Sequence, residues 1–194
     1  MWDPVTGSLV RELRTDHVDG VLAVAAFRGW GGRTLLAIGG NDPAVQVWDP
    51  ASGSPVGDLL TGHTGGVNAV AVLSGSGGGT LLATGSMDGT VRIWDAATGA
   101  LRGDPLTGHR GWVTAVAAFI GPGGRTLLAT GSDDGTVRIW DLATGAELRR
   151  LVTTAPVYAL CVAGDNANPG RFLAIAGPAG LAVLDIDAGA ATTR

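Results

Sequence analysis

The chain has three histidines, His17, His63 and His109, and they are spaced evenly by 46 residues. Imidazole serves both metal ligation and proton transfer at neutral pH. The companions that either chemistry needs are missing. There is no H-E-x-x-H pair, no cysteine pair and no G-x-S-x-G nucleophile elbow. All 13 basic residues are Arg, which excludes a P-loop lysine, a Schiff-base lysine and a Ser–Lys pair. The Gly-rich run Ser74–Gly79 has the composition of a phosphate cradle, but it leads into a strand rather than a helix N-terminus and reads as a hairpin loop. Asp133–Asp134–Gly135 lacks the ligand series of a calcium loop and reads as a turn. Cys161 is alone, so it forms no intrachain disulfide; in its apolar strand it is expected to be a small buried hydrophobe. The expectation is therefore no catalytic residue, no metal and no cofactor.

The even spacing belongs to a larger repeat. Trp2, Trp48, Trp94 and Trp140 are each followed by Asp and recur every 46 residues, and Leu184–Asp185 continues the series after 44. Each histidine thus fills one slot of a repeating unit, which is evidence of repeat architecture before it is evidence of chemistry. The second unit shows the elements. Val67–Leu73 is an apolar run, Thr80–Ser86 a second strand, Met87–Asp88–Gly89 a tight Asp-Gly turn, and Thr90–Asp95 a strand of alternating character. A shorter, more polar edge strand is expected near Leu101–Leu106. Four antiparallel strands in about 46 residues, with no helical period, make one propeller blade.

Composition agrees. Hydrophobic residues are 45% and charged residues 15%, enough for a core, and 33 glycines without a collagen period point to many turns. The net charge of −4 and the absence of a basic run argue against nucleic acid. The start MWDPVTGSLVREL has no basic-then-apolar leader, and no apolar run approaches the ~18 residues of a membrane span. A lone cysteine suits a reducing cytoplasm, the expected location. Arg without Lys, with abundant Ala and Gly, points to a GC-rich bacterial genome.

The segments TGHTGGVNAV…LLATGSMDGTVRIWD and TGHRGWVTAV…LLATGSDDGTVRIWD resemble the WD-repeat (WD40-type) β-propeller family, and the likeness extends over almost the whole chain. That resemblance implies an all-β fold of about four blade-equivalents, each a four-stranded antiparallel sheet, forming a partial ring or half of a larger one. It implies that repeats run out of phase with blades. The expected layout over residues 1–194 is an outer strand at 8–13, then blades at about 17–60, 63–106 and 109–151, and a degenerate one at about 157–194.

The resemblance also implies a hydrogen-bonded set in each well-formed blade: His63, Thr84, Asp88 and Trp94 in the second, His109, Thr130, Asp134 and Trp140 in the third. A buried indole N–H needs an acceptor, a Thr hydroxyl can accept it and donate onward to imidazole, and the turn Asp fixes the other ring nitrogen. Such a set rigidifies a blade. The hydroxyl faces a Trp rather than a cleft, so a catalytic triad is not expected. The first blade keeps only the partial set His17, Asp42 and Trp48, with Ile38 at the hydroxyl slot. In the fourth, Ala174 is read at the hydroxyl slot, Pro178 at the Asp slot and Leu184 at the Trp slot.

One residue stands out as a contact candidate. Trp112, beside Arg110, falls where other repeats have Gly20 and Gly66, on the rim that the Asp-Gly turns share. An exposed Trp beside an Arg is the composition of a binding hot spot. Met87 and Asp133, at equivalent turn positions, join it as candidate partner-binding residues; the alternative for Trp112 is packing against a neighbouring loop. Trp30 lies in a hairpin loop on the opposite rim.

The expected function is a non-catalytic protein–protein interaction scaffold whose rim loops bind protein or peptide partners, a sensor or assembly module of a larger bacterial signalling protein. The alternative is a small-ligand or enzymatic propeller with a site at the central channel. Neither nucleic acid nor membrane is an expected partner. Four blades are few for a family whose rings have seven or eight, which leaves three closures: the remainder of a longer chain, a homodimer forming an eight-bladed ring, or a strained small ring.

Overall fold

The computed structural model describes residues 8, 20–75, 78–163 and 172–186. His17, Trp2, residues 9–13 of the expected outer strand, the side chain of Trp30 and the tail from 187 lie outside that description. The described residues form fourteen strands in four antiparallel sheets. The first sheet is β1 (Val21–Arg28), β2 (Thr34–Gly40), β3 (Gln46–Asp49) and β4 (Ser54–Pro55). The second is β5 (Val67–Ser74), β6 (Thr80–Ser86) and β7 (Val91–Asp95). The third is β8 (Val113–Ile120), β9 (Thr126–Ser132), β10 (Thr136–Asp141) and β11 (Glu147–Val152). The fourth is β12 (Ala159–Ala163), β13 (Phe172–Gly177) and β14 (Gly180–Asp185). Two single 3₁₀ turns, Trp30–Gly32 and Pro122–Gly124, sit in hairpin loops, and no helix of the described residues is long and apolar enough to cross a membrane.

The sheets meander, each strand pairing with the next. The edge segment expected at Leu101–Leu106 follows β7 only through isolated bridges, Trp94 with Leu101 and Val91 with Leu106. Gly103, at φ +71°, and Pro105, which has no N–H, interrupt the ladder between them. The same bulge recurs near the start of β1, β5 and β8, where two residues oppose one on the partner strand.

Strand alternation gives every sheet two unlike faces, and these faces join the sheets in sequence. Leu82, Trp94 and Val67 of the second sheet pack on Phe27, Ala37, Val45 and Val47 of the first. Trp140, Leu128 and Val113 of the third pack on Ala83, Val91 and Ile93 of the second. Leu184, Leu173 and Val157 pack on Ala129, Val137 and Ile139. Close approach at each junction depends on a glycine. A Cβ added to Gly39, Gly85 or Gly131 would lie 2.7, 2.5 or 2.5 Å from a methyl of Val67, Val113 or Val157. The innermost strands β1, β5, β8 and β12 stack in that order, and among the described residues no comparable packing returns from β12 to β1. The result is an open arc of propeller blades.

Cys161 is exposed, against the expectation of burial. Its strand is apolar, but it belongs to the last sheet of the arc, whose outer face has no following sheet among the described residues.

Candidate functional site

The second and third sheets each bring four side chains from separate elements onto one buried line. In the second, Trp94 on β7 donates its indole N–H to Thr84 Oγ1 on β6 at 2.9 Å. Thr84 Oγ1 lies 2.8 Å from His63 Nε2, and His63 Nδ1 lies 2.9 Å from Asp88 Oδ2 in the β6–β7 turn. The third sheet repeats this: Trp140 to Thr130 at 2.9 Å, Thr130 to His109 at 2.8 Å and His109 to Asp134 at 3.2 Å. Ionised Asp88 and Asp134 can only accept, so Nδ1 carries the ring proton; with the ring neutral, Nε2 accepts from the Thr hydroxyl, whose oxygen in turn accepts from the indole. The turn Asp is fixed from several sides: in the second sheet by the amide of Thr64 and by the amide and hydroxyl of Thr90, in the third by the amide of Arg110 and by the amide and hydroxyl of Thr136.

The electrostatics follow the geometry. Burial pushes His63 and His109 below the ordinary histidine value, against the pull of Asp88 and Asp134. Burial works against the Asp88 and Asp134 charges too, but the donors just named outweigh it and hold both carboxyls at about 2. Thr84 and Thr130 are fully buried. The hydroxyl is sealed under the indole, and each His–Thr–Asp line joins loop, strand and turn of one sheet as a strut.

The first sheet solves the same problem differently. Ile38 occupies the hydroxyl slot, and the indole of Trp48 donates instead to Gln46 Oε1 at 2.6 Å. Gln46 pairs with Ile38 as Arg92 pairs with Thr84, so the acceptor comes from the tryptophan's own strand, two residues before it, rather than from the second strand. Sequence reading missed Gln46 because the repeat carries Arg92 and Arg138 at that position, although two residues along one strand share a face. Asp42 lies in the corresponding turn.

In the fourth sheet one slot must be corrected. Leu160 pairs with Ile175 as Val70 pairs with Thr84, so Ile175, not Ala174, takes the hydroxyl position. Gly177 pairs with Gly180 around the two residues Pro178 and Ala179, one fewer than in the other turns, and no Asp slot remains. Leu184 pairs with Leu173 as Trp94 pairs with Leu82.

The rim that carries the Asp-Gly turns holds the remaining candidates. Trp112 is 51% exposed, and its carbonyl accepts from the amide of Asp133 at 3.1 Å. A Cβ added at Gly111 would meet the Asp133 carboxylate at 1.9 Å, so that side chain would have to swing away. Arg110 is exposed, and Met87 is half-buried against Gly65 in the loop that leads into the same sheet. Tyr158, 57% exposed, immediately precedes the inner strand of the fourth sheet at the same rim. Thr114, two residues after Trp112, hydrogen-bonds the carbonyl of Val157, which ties the two aromatic positions together. Tyr158 was hidden in the apolar run Val157–Ala163; its equivalents Leu22, Asn68 and Thr114 share no type that would mark the slot.

The opposite rim has a cleft of about 590 Å³ between the second and third sheets, lined in part by Asp95, Arg102, Arg125 and Asp141. Both guanidinium groups are engaged there, Arg102 with Asp95 at 2.5 Å and Arg125 with Asp141 at 3.1 Å. Each Asp also accepts from backbone amides of the following turn. Among the described residues no cluster of three or more His, Cys, Asp or Glu could hold a metal ion.

Among curated proteins nothing matches the chain. The crystal structure of the computationally designed Ika4 protein is similar, at 25% identity and a TM-score of 0.72, over 92% of this chain and 99% of that one. Residues 53–95 and 102–141 match the family model described as WD domain, G-beta repeat. Both matched stretches begin at the outer edge of one sheet and end in the third strand of the next, so repeat and sheet are out of phase. WD repeats generally mediate protein–protein interactions and are generally non-enzymatic, and two of them lie on the sheets whose buried lines are complete.

Proposed function

We propose that this chain is a non-catalytic scaffold for protein–protein interaction, with a protein or peptide partner docking on the rim formed by the Asp-Gly turns. The observation that carries the reading is Trp112: a large aromatic, half in solvent, on a loop whose backbone is pinned by Asp133 and Asp134. A rigidly held aromatic costs little entropy to dock, which is the property of a hot spot. Arg110, Asp133 and Met87 flank it, and Tyr158 extends the patch onto the next sheet. The composition, all Arg and no Lys, supports a bacterial source. The lone cysteine fits a cytoplasmic setting, and the family resemblance supports a role as sensor or assembly module in a larger signalling protein.

A peptide-display selection against the chain tests this. Binders should lose about 30-fold in affinity on Trp112→Ala, the effect of losing one hot-spot aromatic. They should be unaffected by Arg125→Ala on the opposite rim. Binders that ignore Trp112 and respond to Arg125 would move the site to the other rim, and a selection without enrichment would remove the reading altogether.

A further inference from the structure

The two ends of the arc present the two halves of the junction that the chain makes three times internally. One face of each sheet carries the valine that enters the preceding sheet; the other carries the glycine slot and the two apolar residues of the third strand that receive the next sheet. Inside the arc both faces are dry: Val67, Val113, Val91 and Val137 are all fully buried. At the ends the residue types persist but the cover does not. Leu181 and Val183, which stand where Val91 and Ile93 stand, are 73% and 58% exposed on the last sheet. Val21, equivalent to Val67, is 46% exposed on the first, and Val24 beside it is exposed as well. Apolar side chains kept at junction positions yet left in water mark a surface made to be covered.

We propose that the outer face of β12–β14 docks on the outer face of β1–β3 of a second copy, so that two copies close a ring through two equivalent junctions. The mate for each end face is a surface that this chain itself carries, and its mode of packing is the one already seen between neighbouring sheets. A head-to-tail contact either closes or propagates. Two copies are the smallest assembly in which every end face is matched, and each further copy would cost more rigid-body entropy.

The junction between copies differs from the internal ones at one atom. Ala176 fills the slot held by Gly39, Gly85 and Gly131, and its methyl sits where the incoming Val21 would seat. The copies are therefore held slightly apart, and their association is reversible.

Light scattering on a sizing column should give twice the 19.4 kDa chain mass, falling towards one chain on dilution. Ala176→Gly should tighten association by about tenfold, the scale of relieving one overpacked methyl. Leu181→Asp should give a single-chain species with unchanged far-UV circular dichroism, and Val24→Arg, at the other end, should do the same. Mixing those two variants should restore a two-chain species, since one junction is then unaltered and the other sets opposite charges face to face. A wild-type chain of single mass at every concentration would overturn the proposal. So would open-ended growth, or a dimer indifferent to Leu181→Asp and Val24→Arg; open-ended growth would make the ends a filament contact, and a lasting monomer would leave further blades of a longer chain as their cover.

Discussion

Thr84→Val keeps the volume of the side chain and removes one oxygen. That oxygen accepts the Trp94 indole proton at 2.9 Å and faces His63 Nε2 at 2.8 Å, in a position with no access to water. The substitution thus leaves a buried donor and a buried acceptor without partners, each worth about 1–3 kcal/mol. The extra methyl returns a little apolar burial, so the net loss is about 3 kcal/mol. In a chain of this size that is roughly 6–12 °C in melting temperature. The first sheet supplies a control, since Trp48 there bonds Gln46 opposite Ile38. Adding Arg92→Gln to Thr84→Val offers the indole an acceptor of the same kind from the same strand position, and should recover about 1–2 kcal/mol as a favourable coupling in a double-mutant cycle. Urea unfolding of the wild type, both single variants and the double variant gives the four corners. A Thr84→Val chain as stable as wild type would refute the strut, and a double variant showing no favourable coupling would refute the equivalence of Gln46 and Thr84.

Acid should lower the stability of the protein over two successive pH windows. His63 and His109 have lowered folded values, so their contribution is complete above 6.5 and declines as pH falls below it; Asp88 and Asp134, held at about 2, contribute fully above 3.8 and lose that contribution between there and about 2. A melting temperature that rose on acidification from pH 7 to 5 would contradict the neutral rings. Gly85→Ala drives a methyl into Val113 and should cost about 1–3 kcal/mol, with Val113→Ala restoring part of it in the pair; an unchanged urea midpoint for Gly85→Ala alone would show that the sheets need not sit so close. Trp112→Ala should leave the midpoint within about 0.5 kcal/mol of wild type, because half the side chain is already in water, and a larger loss would mean that Trp112 packs rather than binds.

The buried lines were legible because the repeat is strict where it matters: His, Thr, Asp and Trp recur at fixed offsets, and the side chains that must meet are set by chain distance. The exceptions turn on information that spacing lacks. Gln46 replaces the hydroxyl from a different slot, two residues before Trp48 on the same strand, where the other units carry Arg92 and Arg138, so the repeat does not mark it. The fourth sheet was misread at Ala174 because the repeat there is shorter, and the sequence does not say where the loss falls; the turn Pro178–Ala179 absorbs one residue of it. Cys161 was assigned to the interior from its apolar strand, but burial of a sheet face depends on a neighbour, and that strand is on the last sheet.

The complete polar lines each stay within one sheet, whereas the apolar clusters run from sheet to sheet. Damage of the two kinds therefore spreads differently. A fault in the wiring of one unit is quarantined there, which is how the first sheet can carry Ile38 and the fourth Ile175 while their neighbours keep full order. A fault in the fit between units is inherited along the stack, since each sheet takes its angle from the one before. The protein thereby tolerates drift in what makes each unit stiff, and guards the few side chains that decide where the next unit goes.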